Sequence, residues 1–451
     1  MSTRFLRPDP GAPAAVRFPP IERRVLDSGL ALWSLPFDGV PVASIALVLR
    51  NGTALDPADR PGLASLTADL LDEGAGGLDA IRLTEAFNRL GTELEVDAGP
   101  DSTALVVTCL ARVVPDVLAL VADVVMRPHF ESADFLRVRE LRMGRLRQLS
   151  RSASTAADRA FVSAVFSEHP YGHGALGTTA SLEAMTVDNA REHWQATYAP
   201  EAATLVVTGA VPADDVRRAV DRSFGGWVGA GSPHTAPPAP PAPPADARLI
   251  FVDRPGSAQS ELRIGHLAPS RRTNAYHALV LLNAVVGGQF TSRINRRLRE
   301  EKGVTYGARS SFDFRRAAGT FSCDASVQTD ATAGAIADVL EELSAVRRTP
   351  VEDEELGAAR ASLTRGYVRH FETAGQLTRA VSQLVALDLP DDTFDRFVPA
   401  IEAVTTDDVQ DAARTFVKPD EATVVVVGDR AACGDAIDRL GRDVVLHQPE
   451  F

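Results

Sequence analysis

Thr204-Leu205-Val206-Val207-Thr208-Gly209 and Thr423-Val424-Val425-Val426-Val427-Gly428 lie 219 residues apart, and together they decide the fold. Each is a short apolar, β-branched run ending in glycine, a pattern suited to a buried strand. The match continues outward. Tyr198-Ala199-Pro200-Glu201-Ala202-Ala203 leads into the first run and Val417-Lys418-Pro419-Asp420-Glu421-Ala422 into the second, so both strands follow a proline-containing turn. Before those turns stand Thr186-Val187-Asp188-Asn189 and Thr405-Thr406-Asp407-Asp408, each a threonine N-cap opening a helix. Thr186/Thr405, Asp188/Asp407, Pro200/Pro419, Thr204/Thr423 and Gly209/Gly428 all keep the offset of 219. A constant spacing at five positions marks a tandem duplication.

The duplication predicts two halves of one design. A strand (Val42 to Leu49; Leu262 to Gly265), a helix (Leu63 to Leu71; Ala275 to Val286) and then glycine recur in each. Between the halves, residues 232–246 read SPHTAPPAPPAPPAD, a proline-rich stretch that favours an extended spacer. The expected division is therefore 1–231, a linker at 232–246, and 247–451. Thr92–Val96 and Ser102–Cys109 flank Gly99-Pro100, a hairpin signal. Consecutive strands followed by helices predict an α+β fold, a largely antiparallel sheet with helices packed on one face. No GxGxxG or GxxxxGK[ST] is present, so nucleotide-binding folds have no support.

Composition narrows the class. The 451 residues are 45% hydrophobic and 24% charged, which excludes a disordered chain, a collagen-like fibre and a disulfide-stapled miniprotein. A net charge of −13 argues against nucleic acid or an anionic membrane surface as partner. The locally basic segment 137–151 (Arg137, Arg139, Arg142, Arg145, Arg147, Arg151) has no interleaved aromatics and reads as a solvated or partner-facing helix surface. Cys109, Cys323 and Cys433 sit in or beside apolar or small-residue runs and read as buried thiols. The first twenty residues hold no apolar stretch of signal-peptide length, and no window suits a transmembrane helix, so a cytoplasmic location is expected.

At several places the residues resemble the insulinase/pitrilysin (inverted zincin) metallopeptidases, specifically the bacterial type similar to mitochondrial processing peptidase. The resemblance covers nearly the whole chain. It rests on the repeated domain, His169-Pro170-Tyr171-Gly172 and Leu176-Gly177-Thr178. Most specifically, it rests on Gly287-Gly288-Gln289-Phe290-Thr291-Ser292-Arg293 and Leu298-Arg299-Glu300-Glu301-Lys302-Gly303-Val304-Thr305-Tyr306. It implies two α/β halves forming a clamshell half-chamber. Catalytic members carry H-x-x-E-H on the first helix, two histidines that hold zinc and a glutamate that serves as general base. The matching positions here are Ser65, Ala68 and Asp69, a poor ligand, a methyl group and a single carboxylate. A further glutamate completes the family's ligand set from a later helix. Here no carboxylate occurs between Glu140 and Asp158, and the aligned position lies near Arg145. Catalytic zinc is therefore not expected in this chain. His169 and His173 are four apart but separated by Pro170 and Gly172, which argues for a turn and not a metal-binding helix face.

The resemblance also carries over an arginine and a tyrosine, Arg299 and Tyr306. In the family these face the zinc site across the chamber, contact the substrate backbone and help stabilise the tetrahedral intermediate. Gly287, Gly288, Gln289 and Phe290 precede them as a substrate-binding segment, either as a mobile loop or as the end of a helix. The strand Thr92–Ala98 corresponds to an edge onto which peptide adds in active members. The implied function is a non-catalytic subunit of a heterodimeric zinc peptidase. It would complete the peptide chamber of a homologous subunit that carries H-x-x-E-H and the zinc. The alternative is a peptide-binding or scaffold protein of the same fold without peptidase activity.

Overall fold

The computed structural model describes residues 11, 16–229, 236–242 and 248–451. Most of the proline-rich stretch lies outside the described residues. Twelve strands form two sheets of six. The first holds β1 (Glu22–Val25), β2 (Ala31–Pro36), β3 (Val42–Leu49), β4 (Glu95–Ala98), β5 (Thr103–Leu110) and β6 (Ala203–Gly209), in the order β1-β2-β6-β3-β5-β4. The second holds β7 (Leu249–Asp253), β8 (Gln259–Ala268), β9 (Thr305–Asp313), β10 (Gly319–Gln328), β11 (Thr423–Gly428) and β12 (Val444–Leu446), in the order β9-β10-β8-β11-β7-β12. Pairing is mostly antiparallel; β2 runs parallel to β6, and β7 runs parallel to both β11 and β12. The two runs at offset 219, β6 and β11, are buried along their whole lengths. Each follows a turn that begins at Pro200 or Pro419. The helices before those turns carry the expected threonine caps, and in both a side chain three residues on accepts from the threonine's own N–H.

Alternation along β3 explains how the sheet is covered. Ala43, Ile45, Leu47 and Leu49 pack into the core formed with the first half's own helices. Ala46 and Val48 face the other way, onto Leu377, Val381, Leu384 and Val385. Those residues belong to helix Ala374–Leu387, from the second half of the chain. The reciprocal holds. Ile250, Val252, Val425 and Val427 of the second sheet pack against Ala156, Ala157, Ala160 and Phe161 of helix Ala153–Phe166, from the first half. The halves thus exchange one helix each across their sheets. The two exchanged helices begin 221 residues apart, so the exchange itself obeys the duplication.

Polar contacts fix the crossing. Arg263 on β8 is buried and donates to the Asp158 carboxylate (2.6 Å) and the Ser154 hydroxyl (2.7 Å) of the incoming helix. Thr378 on the reciprocal helix donates to the Ser44 carbonyl at 3.2 Å. Tyr171, fully buried, donates its hydroxyl to Asp101 and accepts from the Ala317 N–H at 3.3 Å, tying the β4–β5 hairpin to the β9–β10 loop. No helix among the described residues is long and apolar enough to cross a membrane. Cys109, Cys323 and Cys433 are free and buried.

Candidate functional site

The helix that matches the zinc-motif position, α1 (Leu63–Asp69), starts at a crowded corner. Gly62 has φ +95°, and a Cβ there would stand 2.6 Å from the Gly177 N; a Cβ on Gly177 (φ +71°) would stand 2.2 Å from the Pro61 O. Two glycines in left-handed conformations therefore let the Leu176-Gly177-Thr178 turn close onto the helix start. Asp56 accepts from the N–H groups of Gly62 and Ala64, both at 2.7 Å. Burial pushes its carboxyl up to about 6, against those hydrogen bonds and the nearby His173, whose Nε2 is 3.7 Å away.

Ser65 and Asp69 share one face of α1, four residues apart, and a second helix, α2 (Ser132–Leu149), presents a cation to them. That cation is Arg142, and here the expectation of Arg145 is corrected. Arg145 is exposed, one turn further along, whereas Arg142 retains only 4% of its surface. Residues three apart lie on neighbouring turns of one helix face, and only the earlier one sits opposite Ser65. Its guanidinium donates to Asp69 Oδ2 at 2.5 Å, to Ser65 Oγ at 3.2 and 3.1 Å, and to the Ala175 carbonyl at 3.2 Å. Burial lowers its pKa and the Asp69 charge opposes that. Ala68 is buried and offers only a methyl group.

The donor set does not fit zinc. Divalent zinc needs three or four lone-pair donors, and this face offers one hydroxyl, one carboxylate and a guanidinium already bound to both. Among the described residues no three His, Cys, Asp or Glu side chains converge as a metal site. His169 and His173 flank a 3₁₀ turn (Pro170–Gly172), as the proline predicts. The His169 Nδ1 accepts from the Tyr171 N–H at 3.1 Å, so its Nε2 donates to the Ala239 carbonyl at 2.7 Å.

The other predicted residues gather in the second half. Helix Tyr276–Asn283 widens into a π-turn at Ala284–Gly288, and a Cβ on Gly287 would lie 2.4 Å from Ser310 Oγ, so this helix end packs directly on β9. Gly288 lies as tightly against Asn283. Gln289 lines a cavity of about 520 Å³ with Arg293, Arg296 and Glu355. Phe290 is exposed, and the Arg299 guanidinium lies 4.0 Å from its ring centre. Asn295 donates to the Phe290 carbonyl (2.6 Å) and accepts from the Ala308 N–H (3.0 Å), binding this segment to β9. Asn295 was not foreseen; a buried amide four residues before Arg299 leaves no spacing signal. Tyr306 stands on β9 where the register shifts between Thr305 and Ala308, and it is 93% exposed. Residues 287–290, Arg299 and the Tyr306 strand thus form one unit. No hydrogen bond or ion pair among the described residues joins Arg299 or Tyr306 to Ser65, Asp69 or Arg142. The edge strand foreseen at Thr92–Ala98 is β4, with one side unpaired.

Two family models match consecutive parts of the chain: residues 37–179 match Insulinase (Peptidase family M16), and residues 184–363 match Peptidase M16 inactive domain. The chain belongs to the M16 peptidase family. A Mycobacterium tuberculosis protein named an uncharacterized zinc protease is 25% identical over 90% of this chain and 93% of its own length. A Helicobacter pylori protein named a non-peptidase homolog is 19% identical over 87% and 90%. A crystal structure of a peptidase M16 inactive domain from Pseudomonas fluorescens superposes with a TM-score of 0.85 at 21% identity, covering 91% of this chain and 98% of that one.

Proposed function

We propose that the chain is the non-catalytic subunit of a two-component M16 peptidase, completing the peptide chamber of a zinc-bearing homologue. The observation that carries this reading is Arg142, whose buried guanidinium satisfies Ser65 and Asp69 where a catalytic member would hold metal. Those contacts support a first half that contributes no metal ligands of its own. The Arg299–Tyr306 unit keeps its aromatic stack, its Asn295 clamp and an exposed phenol. Such donors suit a peptide backbone or a developing oxyanion that another subunit activates.

The test mixes this chain with a candidate partner bearing H-x-x-E-H and follows cleavage of a fluorogenic peptide. Activity should require both chains. Arg299→Ala and Tyr306→Phe should each lower kcat/KM by about tenfold or more while leaving complex formation intact. A partner equally active alone, or unchanged kinetics in both variants, overturns the proposal and leaves a scaffold.

A further inference from the structure

A second cavity, of about 500 Å³, lies away from both the Arg142 cluster and the Arg299 unit. Five of its lining residues, from Gln376 to Leu387, stand on the exchanged helix Ala374–Leu387. Its walls are aromatic. Tyr276 meets Phe314 edge-on with ring centres 5.2 Å apart, and Tyr367 stacks on Phe397 at 4.3 Å. Phe371 and Phe394 close another side at 5.3 Å. Aromatic surface of this extent in a concave site is the usual setting for an apolar ligand body.

Its polar groups are one-sided. Arg271, His370 and Arg379 line the cavity with Gln376 and Gln383, and no aspartate or glutamate does, in a chain whose net charge is −13. The Arg271 guanidinium is held over the Tyr276 ring, 3.4 Å from its centre, and its backbone N–H is fixed by the Arg315 carbonyl at 3.0 Å. Among the described residues no carboxylate lies within ion-pair distance of Arg271 or Arg379. Nearby acids are engaged elsewhere: Asp388 with Arg272 at 3.0 Å, and Asp395 with the Phe18 N–H at 2.6 Å. Burial lowers the Arg271 pKa, and only Tyr276 and Tyr367 oppose that shift. A partly buried guanidinium with five N–H donors and no acidic partner is an anion site in waiting.

We infer that this cavity binds an apolar carboxylate, an arylalkanoate whose ring enters the aromatic walls and whose carboxylate pairs with Arg271. The same chemistry is offered by a free aromatic acid and by the C-terminal residue of a peptide.

The experiment is calorimetric titration of the full chain with 3-phenylpropionate and 3-phenylpropanamide. The acid should bind saturably at one site, and the amide about tenfold more weakly or worse, because it lacks the charge. Arg271→Gln should weaken the acid by a similar factor, while Arg272→Gln, whose arginine pairs with Asp388, should leave it unchanged. N-acetylalanyl-phenylalanine with a free or an amidated C-terminus distinguishes the sources: binding of the free form assigns the site to peptide ends, and its failure beside good phenylpropionate binding assigns it to small acids. Equal affinity for acid and amide, absence of saturable binding, or full affinity in a folded Arg271→Gln variant overturns the inference. Should that variant not fold, the acid–amide comparison on the unaltered chain decides.

Discussion

Arg142 and zinc are both cations, but they satisfy oxygen in opposite ways. Zinc accepts lone pairs, whereas the guanidinium donates N–H to acceptors that keep theirs. Ser65 Oγ, Asp69 Oδ2 and the Ala175 carbonyl are all acceptors aimed at one group that is nearly excluded from water. Removing that group leaves the buried Ser65 hydroxyl without its partner, while Asp69, with 42% of its side chain exposed, turns to water. Arg142→Ala should cost about 2–3 kcal/mol, read as a lower urea midpoint, while Arg145→Ala, on an exposed turn, should change stability by about 0.5 kcal/mol or less. Equal effects would mean that the cluster contributes nothing. A second residue governs the acid limb. His266 accepts the Lys418 N–H on Nε2 (3.0 Å) and donates from Nδ1 to the Leu267 carbonyl (2.8 Å), so protonation of Nε2 breaks a bond in a buried site. Burial lowers its pKa from 6.5 to about 4. The unfolded chain then takes up a proton that the folded chain refuses, so this contribution is intact above about pH 6.5 and lost as pH falls toward 4. Asp56 and Asp72 act in the opposite sense. Burial raises each to about 6, so the folded chain keeps protons there that the unfolded chain releases, and their stabilisation declines as pH rises from about 4 to 6. His266→Gln should therefore lose about 1–2 kcal/mol less than the unaltered chain between neutral pH and the acid end of that window. Urea unfolding at both pH values measures it, and parallel losses would refute the assignment.

The helix Ala153–Phe166 shows what a sequence conveys about an element and what it withholds. Its Ala156, Ala157, Ala160, Phe161 and Val165 announce a buried face, and Ser152 announces its start by accepting from the Thr155 N–H. Nothing in that pattern says which sheet receives the face. The same limit explains Arg145. Periodicity places Arg142 and Arg145 on one side of a helix, but the register against Ser65 depends on how two helices pack. Strands were more legible, because β-branched runs at a fixed offset need no partner to be recognised. The Arg299 unit was legible only through its motif, since an exposed tyrosine and a stacked arginine leave no periodic trace. The receiving sheet does carry one signal, Gly265 on β8. A Cβ there would fall 1.9 Å from the Phe321 O and 2.9 Å from Phe161 Cζ, so the incoming helix and the neighbouring strand both require its absence. Gly265→Ala should destabilise the protein by about 1–3 kcal/mol through overpacking, and Phe161→Ala by about 3–5 kcal/mol through the cavity it leaves. Thermal unfolding checks both; a neutral Gly265→Ala would mean that the helix does not seat where described.

Exchange of helices makes each half an incomplete protein. Without the first half, Ile250, Val252, Val425 and Val427 would present a continuous apolar face to water; without the second, Ala46, Val48 and Val206 would do so. A face of that kind drives association. Arg263 would also lose Asp158 and Ser154, leaving a guanidinium on an apolar surface with Glu261 and Asp324 as its remaining acidic neighbours. A chain divided within 232–246 therefore should not yield two independent domains. The fragment 247–451 produced alone should aggregate or bind a hydrophobic dye strongly, and so should 1–231. Produced together, the two should associate into a soluble one-to-one complex that unfolds in a single transition, because each supplies the helix that covers the other's sheet. Size-exclusion chromatography with light scattering reads the outcome. A monomeric, cooperatively folded 247–451 fragment would show that its sheet tolerates an open face, and the exchanged helices would then be a convenience of packing and not what holds the two halves in one body.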